Sequence, residues 1–124
     1  MHTVAQTKPF DAAAKDAGLT EDEIFEIVTY LAEHPEAGEE IVGTGGCRKL
    51  RFGGRGKGKR GGYRTVTFYS GEIMPVFLIT VFAKGEKSTL TAKEKAGLKT
   101  LTKLLAAEYS KKISSLEKRK GLAG

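Results

Sequence analysis

The chain has 124 residues, of which 40% are hydrophobic and 29% charged, with a formal net charge of +6. This length and balance fit one globular domain over residues 1–124 and exclude a disordered or membrane-embedded chain, since the longest apolar stretch, Ile73–Val81, is too short to cross a bilayer. The basic excess favours a polyanionic partner, and the single cysteine, Cys47, excludes an internal disulfide.

The N-terminal third predicts two helices after a weak strand signal in residues 2–6. Pro9 and Gly18 bracket apolar residues at helical spacing, which indicates a helix over about Pro9–Ala17. Thr20 and Glu23 form a capping box that opens a second helix, expected to end at His34 before Pro35. No secretory leader is visible, so we expect a cytoplasmic protein.

Three strands and a long helix are expected next. Residues 47–52 alternate in polarity, residues 63–69 are rich in aromatic and β-branched types, and residues 76–82 are almost wholly apolar. The short Ser70-Gly71 turn predicts an antiparallel hairpin between the last two strands. A second capping box, Thr91 and Glu94, opens an amphipathic helix over about residues 91–118.

Charge is divided sharply along the chain. Residues 1–40 carry a net charge of −8, residues 41–71 carry +8 with no acid, and residues 72–124 carry +6. The middle segment includes the glycine-rich loop Gly56–Gly61, which matches GxGxxG in letters but precedes a strand instead of opening a helix, so a dinucleotide site is rejected. A basic loop between strands indicates contact with a phosphate backbone.

Three segments carry a more specific pattern: Ile41–Arg51, which contains GTGG and a basic strand, Gly56–Arg64, which contains KGKRGG, and Leu78–Lys84. Together they resemble the toxins of the RelE and HigB superfamily of bacterial type II toxin-antitoxin modules, with the HigB-like branch closest. The resemblance extends over roughly Pro9 to Leu105.

The resemblance implies an α+β fold in which two N-terminal helices pack on one face of a small antiparallel sheet, followed by the long C-terminal helix. The opposite, concave face is expected to be open to RNA. It also implies ribosome-associated cleavage of messenger RNA without a metal or other cofactor. In that reaction the 2′-hydroxyl attacks the adjacent phosphate and leaves a 2′,3′-cyclic phosphate and a 5′-hydroxyl.

Residue by residue, the resemblance assigns phosphate binding to Arg64 and transition-state binding or leaving-group protonation to Lys84. Lys57 and Lys59 match the basic loop, where a lysine with a lowered pKa can act as base. The remaining basic residues are expected to hold the RNA backbone: Arg48, Lys49, Arg51, Arg55 and Arg60. Leu90 and Gly85 depart from the family, which often has tyrosine and asparagine at those positions.

Other interpretations stay open from the sequence. Arg64 can instead pair with Glu26 or Glu33 of the acidic helix, and Lys84 can be a solvated strand end. The fold can also belong to a nonenzymatic inhibitor of DNA gyrase like the ParE relatives, or to a protein that only binds ribosomal RNA. A toxin further implies a cognate antitoxin, with a helix-turn-helix protein as one form, in addition to the ribosome and messenger RNA as partners.

Overall fold

The computed structural model describes residues 2–53, 62–71, 74–83 and 90–123, and describes side chains as far as residue 109. Its elements in chain order are β1 (Val4–Gln6), α1 (Lys8–Ala17), α2 (Glu21–Glu33), β2 (Glu39–Glu40), β3 (Cys47–Phe52), β4 (Tyr63–Phe68), β5 (Val76–Ala83) and α3 (Ala92–Ala123). In this part of the chain, no helix is both long and apolar enough to span a membrane.

The helices begin where local capping signals place them. The Thr20 hydroxyl accepts a hydrogen bond from the backbone N–H of Glu23 at 3.1 Å, and the Glu23 carboxylate accepts one from the backbone N–H of Thr20 at 2.9 Å. The same reciprocal pair joins Thr91 and Glu94 at the start of α3. Both predicted capping boxes are confirmed, and each satisfies backbone donors that a helix N-terminus leaves without partners.

The sheet has the strand order β1-β5-β4-β3-β2. Strand β1 pairs with β5 in parallel, whereas the other three pairs are antiparallel, including the predicted β4–β5 hairpin. The sequence therefore predicted an α+β fold correctly, but neither the parallel edge pair nor the two-residue strand β2 was foreseen.

Helices α1 and α2 cover one face of the sheet, called here the helix-pair face. Phe10 of α1, Leu31 of α2 and Leu78 of β5 are all fully buried within this layer. Side chains that alternate along β4 and β5 supply the rest of the apolar layer, including Tyr63 and Val81. The predicted packing of two N-terminal helices on one face is confirmed.

The opposite face, called here the basic face, is only partly open. Leu98, Leu101 and Leu105 of α3 pack against a second apolar cluster that includes Val66 and Ile79. The expectation of a second face open to RNA therefore does not hold for its apolar part, because α3 returns over the sheet and buries it. Among the described residues, the charged side chains of this face, Lys49, Arg51 and Arg64, lie outside the apolar cluster that α3 covers.

The GTGG segment forms the contact point for α3. The Thr44 hydroxyl is fully buried; it donates to the carbonyl of Ile41 at 2.6 Å and accepts from the N–H of Cys47 at 3.1 Å. The buried Thr102 of α3 donates to the carbonyl of Thr44 at 3.2 Å. Gly45, at φ +76°, lets the two backbones approach, since a Cβ there would lie 2.7 Å from the Thr102 hydroxyl oxygen. The motif thus anchors the C-terminal helix.

Candidate nucleic-acid interface

Two arginines stand side by side on the basic face. In the β3–β4 ladder Arg51 is directly opposite Arg64, and Lys49 opposite Val66. Directly opposed residues project from the same face with Cβ atoms about 5 Å apart. Lys49 lies two residues before Arg51, on the same face and about 7 Å away along the strand. The pairing therefore places three positive side chains on one surface.

These side chains line a groove with a volume of about 360 Å³. Its lining consists of Gly38, Glu39, Lys49, Leu50, Arg51 and Arg64. Guanidinium groups offer parallel N–H donors that match two oxygens of one phosphate, so an adjacent arginine pair is suited to a phosphodiester. The groove lies beside the sheet edge formed by β2.

An acidic residue shares the groove with these cations. Glu39 of β2 opposes Lys49 in the β2–β3 ladder, and the Glu39 Oε2 to Lys49 Nζ distance is 3.9 Å. The two side chains are 83% and 43% exposed. An ion pair this exposed contributes at most about 1 kcal/mol to folding. The sequence places Glu39 in an acidic run with Glu36 and Glu40, which could suggest a metal site but is explained more simply as a solvated helix end, since a two-residue edge strand leaves no periodic signal there.

Arg48 is separated from the other basic residues of β3. It opposes Thr67 and Glu40, so it projects from the helix-pair face. There its Nη1 donates a hydrogen bond to the backbone carbonyl of Gly38 at 3.2 Å, from a partly buried position. The structure therefore brings together Lys49, Arg51 and Arg64 but not Arg48, whose guanidinium fastens the chain just before β2.

The other sequence-predicted site residues lie outside the described part of the chain: Arg55, Lys57, Lys59, Arg60 and Lys84. The first four belong to the connection between Phe52 and Tyr63, the paired last and first residues of β3 and β4. Lys84 follows Ala83, which pairs with Tyr63. All five therefore belong to sequence segments that begin or end at the strand ends beside Arg51 and Arg64.

The buried side chains of Tyr63 and Cys47 are not among the described residues that line the groove. Tyr63 is buried on the helix-pair face, as the alternation predicts, and burial, with a smaller contribution from the charge and hydrogen bond of Glu23, raises its phenol pKa. Cys47 is fully buried beneath α3, and burial raises its thiol pKa from 9.0 to about 11 against a lowering hydrogen bond with Thr44. The thiol is therefore protonated and packed at neutral pH.

The expected alternative for Arg64, a pair with Glu26 or Glu33, does not match the placement of the elements. Both glutamates belong to α2, which packs on the helix-pair face, whereas Arg64 projects from the basic face. Among the described residues, no group of three or more histidine, cysteine, aspartate or glutamate side chains is arranged to hold a metal ion.

Comparison with known proteins gives two findings. A family model described as the RelE toxin of the RelE / RelB toxin-antitoxin system matches residues 2–124. Among solved structures, the chain is similar to a free-state arginine-to-alanine double mutant of the E. coli toxin RelE, with 22% identity and a TM-score of 0.46. That alignment covers 68% of this chain and 84% of the other.

Proposed function

Because the chain belongs to the RelE toxin family of toxin-antitoxin systems, we propose that it is a ribosome-associated endoribonuclease that cleaves messenger RNA. The observation that carries the proposal is the direct pairing of Arg51 with Arg64 in a groove on the basic face. Two opposed guanidinium groups present N–H donors that match the oxygens of an RNA phosphate.

The reaction is attack of a 2′-hydroxyl on the neighbouring phosphate. Negative charge accumulates on the phosphoryl oxygens in the transition state, so preorganised guanidinium groups lower its energy more than that of the ground state. Arg64 is the residue proposed to hold the scissile phosphate, with Arg51 and Lys49 binding the flanking backbone. Arg48 is left out of the RNA contacts because its guanidinium is bonded to Gly38 on the other face.

The basic residues outside the described ranges complete the proposal. Arg55 and Arg60 bind backbone phosphates, Lys57 and Lys59 belong to the catalytic loop, and Lys84 stabilises the transition state or protonates the leaving oxygen. Their support is their sequence position beside the strand ends that carry Arg51 and Arg64.

The family also supports the partners. A RelE-family toxin pairs with an antitoxin, and we propose that the cognate antitoxin is encoded beside this chain and that a helix-turn-helix protein is one form of it. The ribosome with bound messenger RNA is the proposed target, in the cytoplasm.

Residues 1–124 form one domain in this proposal, supported by two apolar clusters built on opposite faces of one sheet. The HigB-like branch stays a prediction.

The test is codon-resolved cleavage of messenger RNA by purified protein with ribosomes. Wild-type protein is expected to cleave, and Arg64→Ala to cleave about 10²- to 10³-fold more slowly, the usual loss when one transition-state donor is removed. Lys15→Ala, which removes an exposed positive charge on α1, is the matched control and is expected to cleave normally.

Intact messenger in the presence of ribosome-bound wild-type protein would contradict the nuclease proposal and favour a protein that only binds ribosomal RNA. Inhibition of DNA gyrase supercoiling without RNA cleavage would favour a ParE-like inhibitor. Equal cleavage by the wild-type and Arg64→Ala proteins would show that the arginine pair does not carry the reaction.

A further inference from the structure

The groove lined by Lys49, Arg51 and Arg64 also contains one carboxylate among its described lining residues, that of Glu39. Its position there is set by the β2–β3 ladder, in which it opposes Lys49 and so projects from the same face as Arg51 and Arg64. Its neighbour Glu40 opposes Arg48 and projects from the other face. One acidic residue of this short strand therefore faces the proposed RNA and the other does not.

A carboxylate in this position works against RNA binding. It places negative charge in a groove that would hold a phosphodiester, and it lowers the positive potential of Lys49 through their 3.9 Å ion pair. A surface that only binds an RNA backbone gains nothing from such a group. The reaction, by contrast, needs a group that accepts the proton of the 2′-hydroxyl. Among the described residues that line the groove, Glu39 carries a carboxylate, which accepts a proton, whereas guanidinium and ammonium groups only donate. Glu39 is thus an alternative to the loop lysines, Lys57 and Lys59, as the base.

We propose that Glu39 is the general base of the nuclease reaction, an inference that rests on the proposed function. Lys49 positions the carboxylate on the groove side through the ion pair, while Arg64 holds the scissile phosphate and Arg51 the flanking backbone. Among the described residues, Lys49, Arg51 and Arg64 are the charged side chains that line the groove together with Glu39.

The step balances without a metal or a redox partner. A Glu39 carboxylate oxygen takes the proton of the 2′-hydroxyl while the 2′-oxygen forms a bond to phosphorus. The bond between phosphorus and the 5′-oxygen then breaks with its electron pair. The departing 5′-oxygen takes a proton from solvent water, the resulting hydroxide is neutralised by the proton that Glu39 returns to solvent, and the products are a 2′,3′-cyclic phosphate and a 5′-hydroxyl.

The experiment separates binding from chemistry with Glu39→Gln, which keeps the size and a hydrogen-bond acceptor for Lys49 but removes the basicity. Single-turnover cleavage of messenger RNA on ribosomes gives the rate, and cosedimentation with ribosomes gives the affinity. We expect cleavage to fall about 10²- to 10⁴-fold, the usual contribution of a general base, with ribosome affinity unchanged or higher. Glu39→Asp keeps a carboxylate and is expected to cleave faster than Glu39→Gln but more slowly than the wild type. The matched control, Glu40→Gln, is expected to cleave at the wild-type rate.

A substrate with sulfur in place of the bridging 5′-oxygen distinguishes a base from an acid, since a thiolate leaves without protonation. Glu39→Gln is expected to stay slow on this substrate, and recovery of the wild-type rate would overturn the assignment as base.

Unchanged or faster cleavage of normal messenger by Glu39→Gln, with wild-type protein active, would overturn the inference alone and reduce Glu39 to an electrostatic partner of Lys49. Inactive wild-type protein would overturn the proposed function and this inference together. The Tm of each variant is measured by thermal unfolding alongside its cleavage rate. We expect Glu39→Gln to have the same Tm as the wild type, because the ion pair that it removes is exposed.

Discussion

Gly45 offers a sharp test of how the GTGG segment holds α3. Substitution by alanine places a Cβ at φ +76°, where an L-residue costs about 1–2 kcal/mol, partly offset by about 0.4–1 kcal/mol from the stiffer unfolded chain. It also places that Cβ 2.7 Å from the Thr102 hydroxyl oxygen. This oxygen lies 3.2 Å from the carbonyl oxygen of Thr44 and 2.9 Å from that of Lys99, and the single hydroxyl proton is donated to one or shared between them, so the side chain cannot turn away freely.

The contact adds an overpacking cost of about 1–3 kcal/mol. Gly45→Ala is therefore expected to destabilise the protein by about 2–4 kcal/mol in total, a fall of about 8–16 °C in Tm at about 4 °C per kcal/mol. Gly18→Ala is the matched control, because Gly18 has the same φ of +76° and no atom within 4 Å of the added Cβ. It is expected to cost about 1 kcal/mol, the backbone strain alone.

The assay is urea unfolding followed by circular dichroism, with Thr102→Ala made alone and together with Gly45→Ala. Removal of the Thr102 hydroxyl opens space for the new methyl group, so the double variant is expected to lose about 1–2 kcal/mol less than the sum of the single variants. Equal destabilisation by Gly45→Ala and Gly18→Ala, with additive effects in the double variant, would refute the close approach of the GTGG segment to α3.

Three further results are expected. Arg51→Ala should weaken ribosome binding and reduce the slope of log affinity against log salt by about 0.7–0.9, because one phosphate contact is lost. Arg48→Ala should leave that slope unchanged and lower the free energy of unfolding in urea by about 1 kcal/mol, because its hydrogen bond to Gly38 is lost. The reverse pattern would contradict the faces assigned to the two arginines. Thr20→Ala should cost about 1 kcal/mol in the same unfolding assay by removing the cap of α2, and no loss would contradict the capping box. Burial raises the pKa of the Cys47 thiol from 9.0 to about 11, so on a rise in pH the unfolded chain loses this proton before the folded chain does. The free energy of unfolding should therefore keep the whole contribution of this thiol below about pH 9 and lose it between pH 9 and 11. An equal fall between pH 9 and 11 in the Cys47→Ala protein would contradict this cause.

The helix starts could be predicted because their causes are local. The Thr20–Glu23 and Thr91–Glu94 capping boxes each close within four residues, and Gly18 ends α1 in a left-handed conformation that glycine adopts without strain. The alternation in residues 47–52 likewise fixed that strand, since a period of two needs no information from the rest of the chain.

The candidate site was predicted only in part. Arg64 was selected by its resemblance to a family motif, and its place in a groove fits that selection. Arg48, Lys49 and Arg51 were treated as one group from their charge, although neighbouring side chains on a strand project from opposite faces. Glu39 was interpreted from the sequence only as part of an acidic run with Glu36 and Glu40 at a solvated helix end, because its place in the groove depends on β2 joining the edge of the sheet.

The sequence by itself determined the division into an acidic third and a basic remainder, the starts of the helices, the strand alternation and the family. Tertiary structure alone decided that Arg51 pairs with Arg64, that Glu39 lines the same groove as both of them, and that α3 covers the apolar part of the basic face. The physical reason is distance along the chain. Caps and alternation are set by neighbours, whereas strand register and the return of α3 are set by burial of side chains from distant segments in common apolar layers.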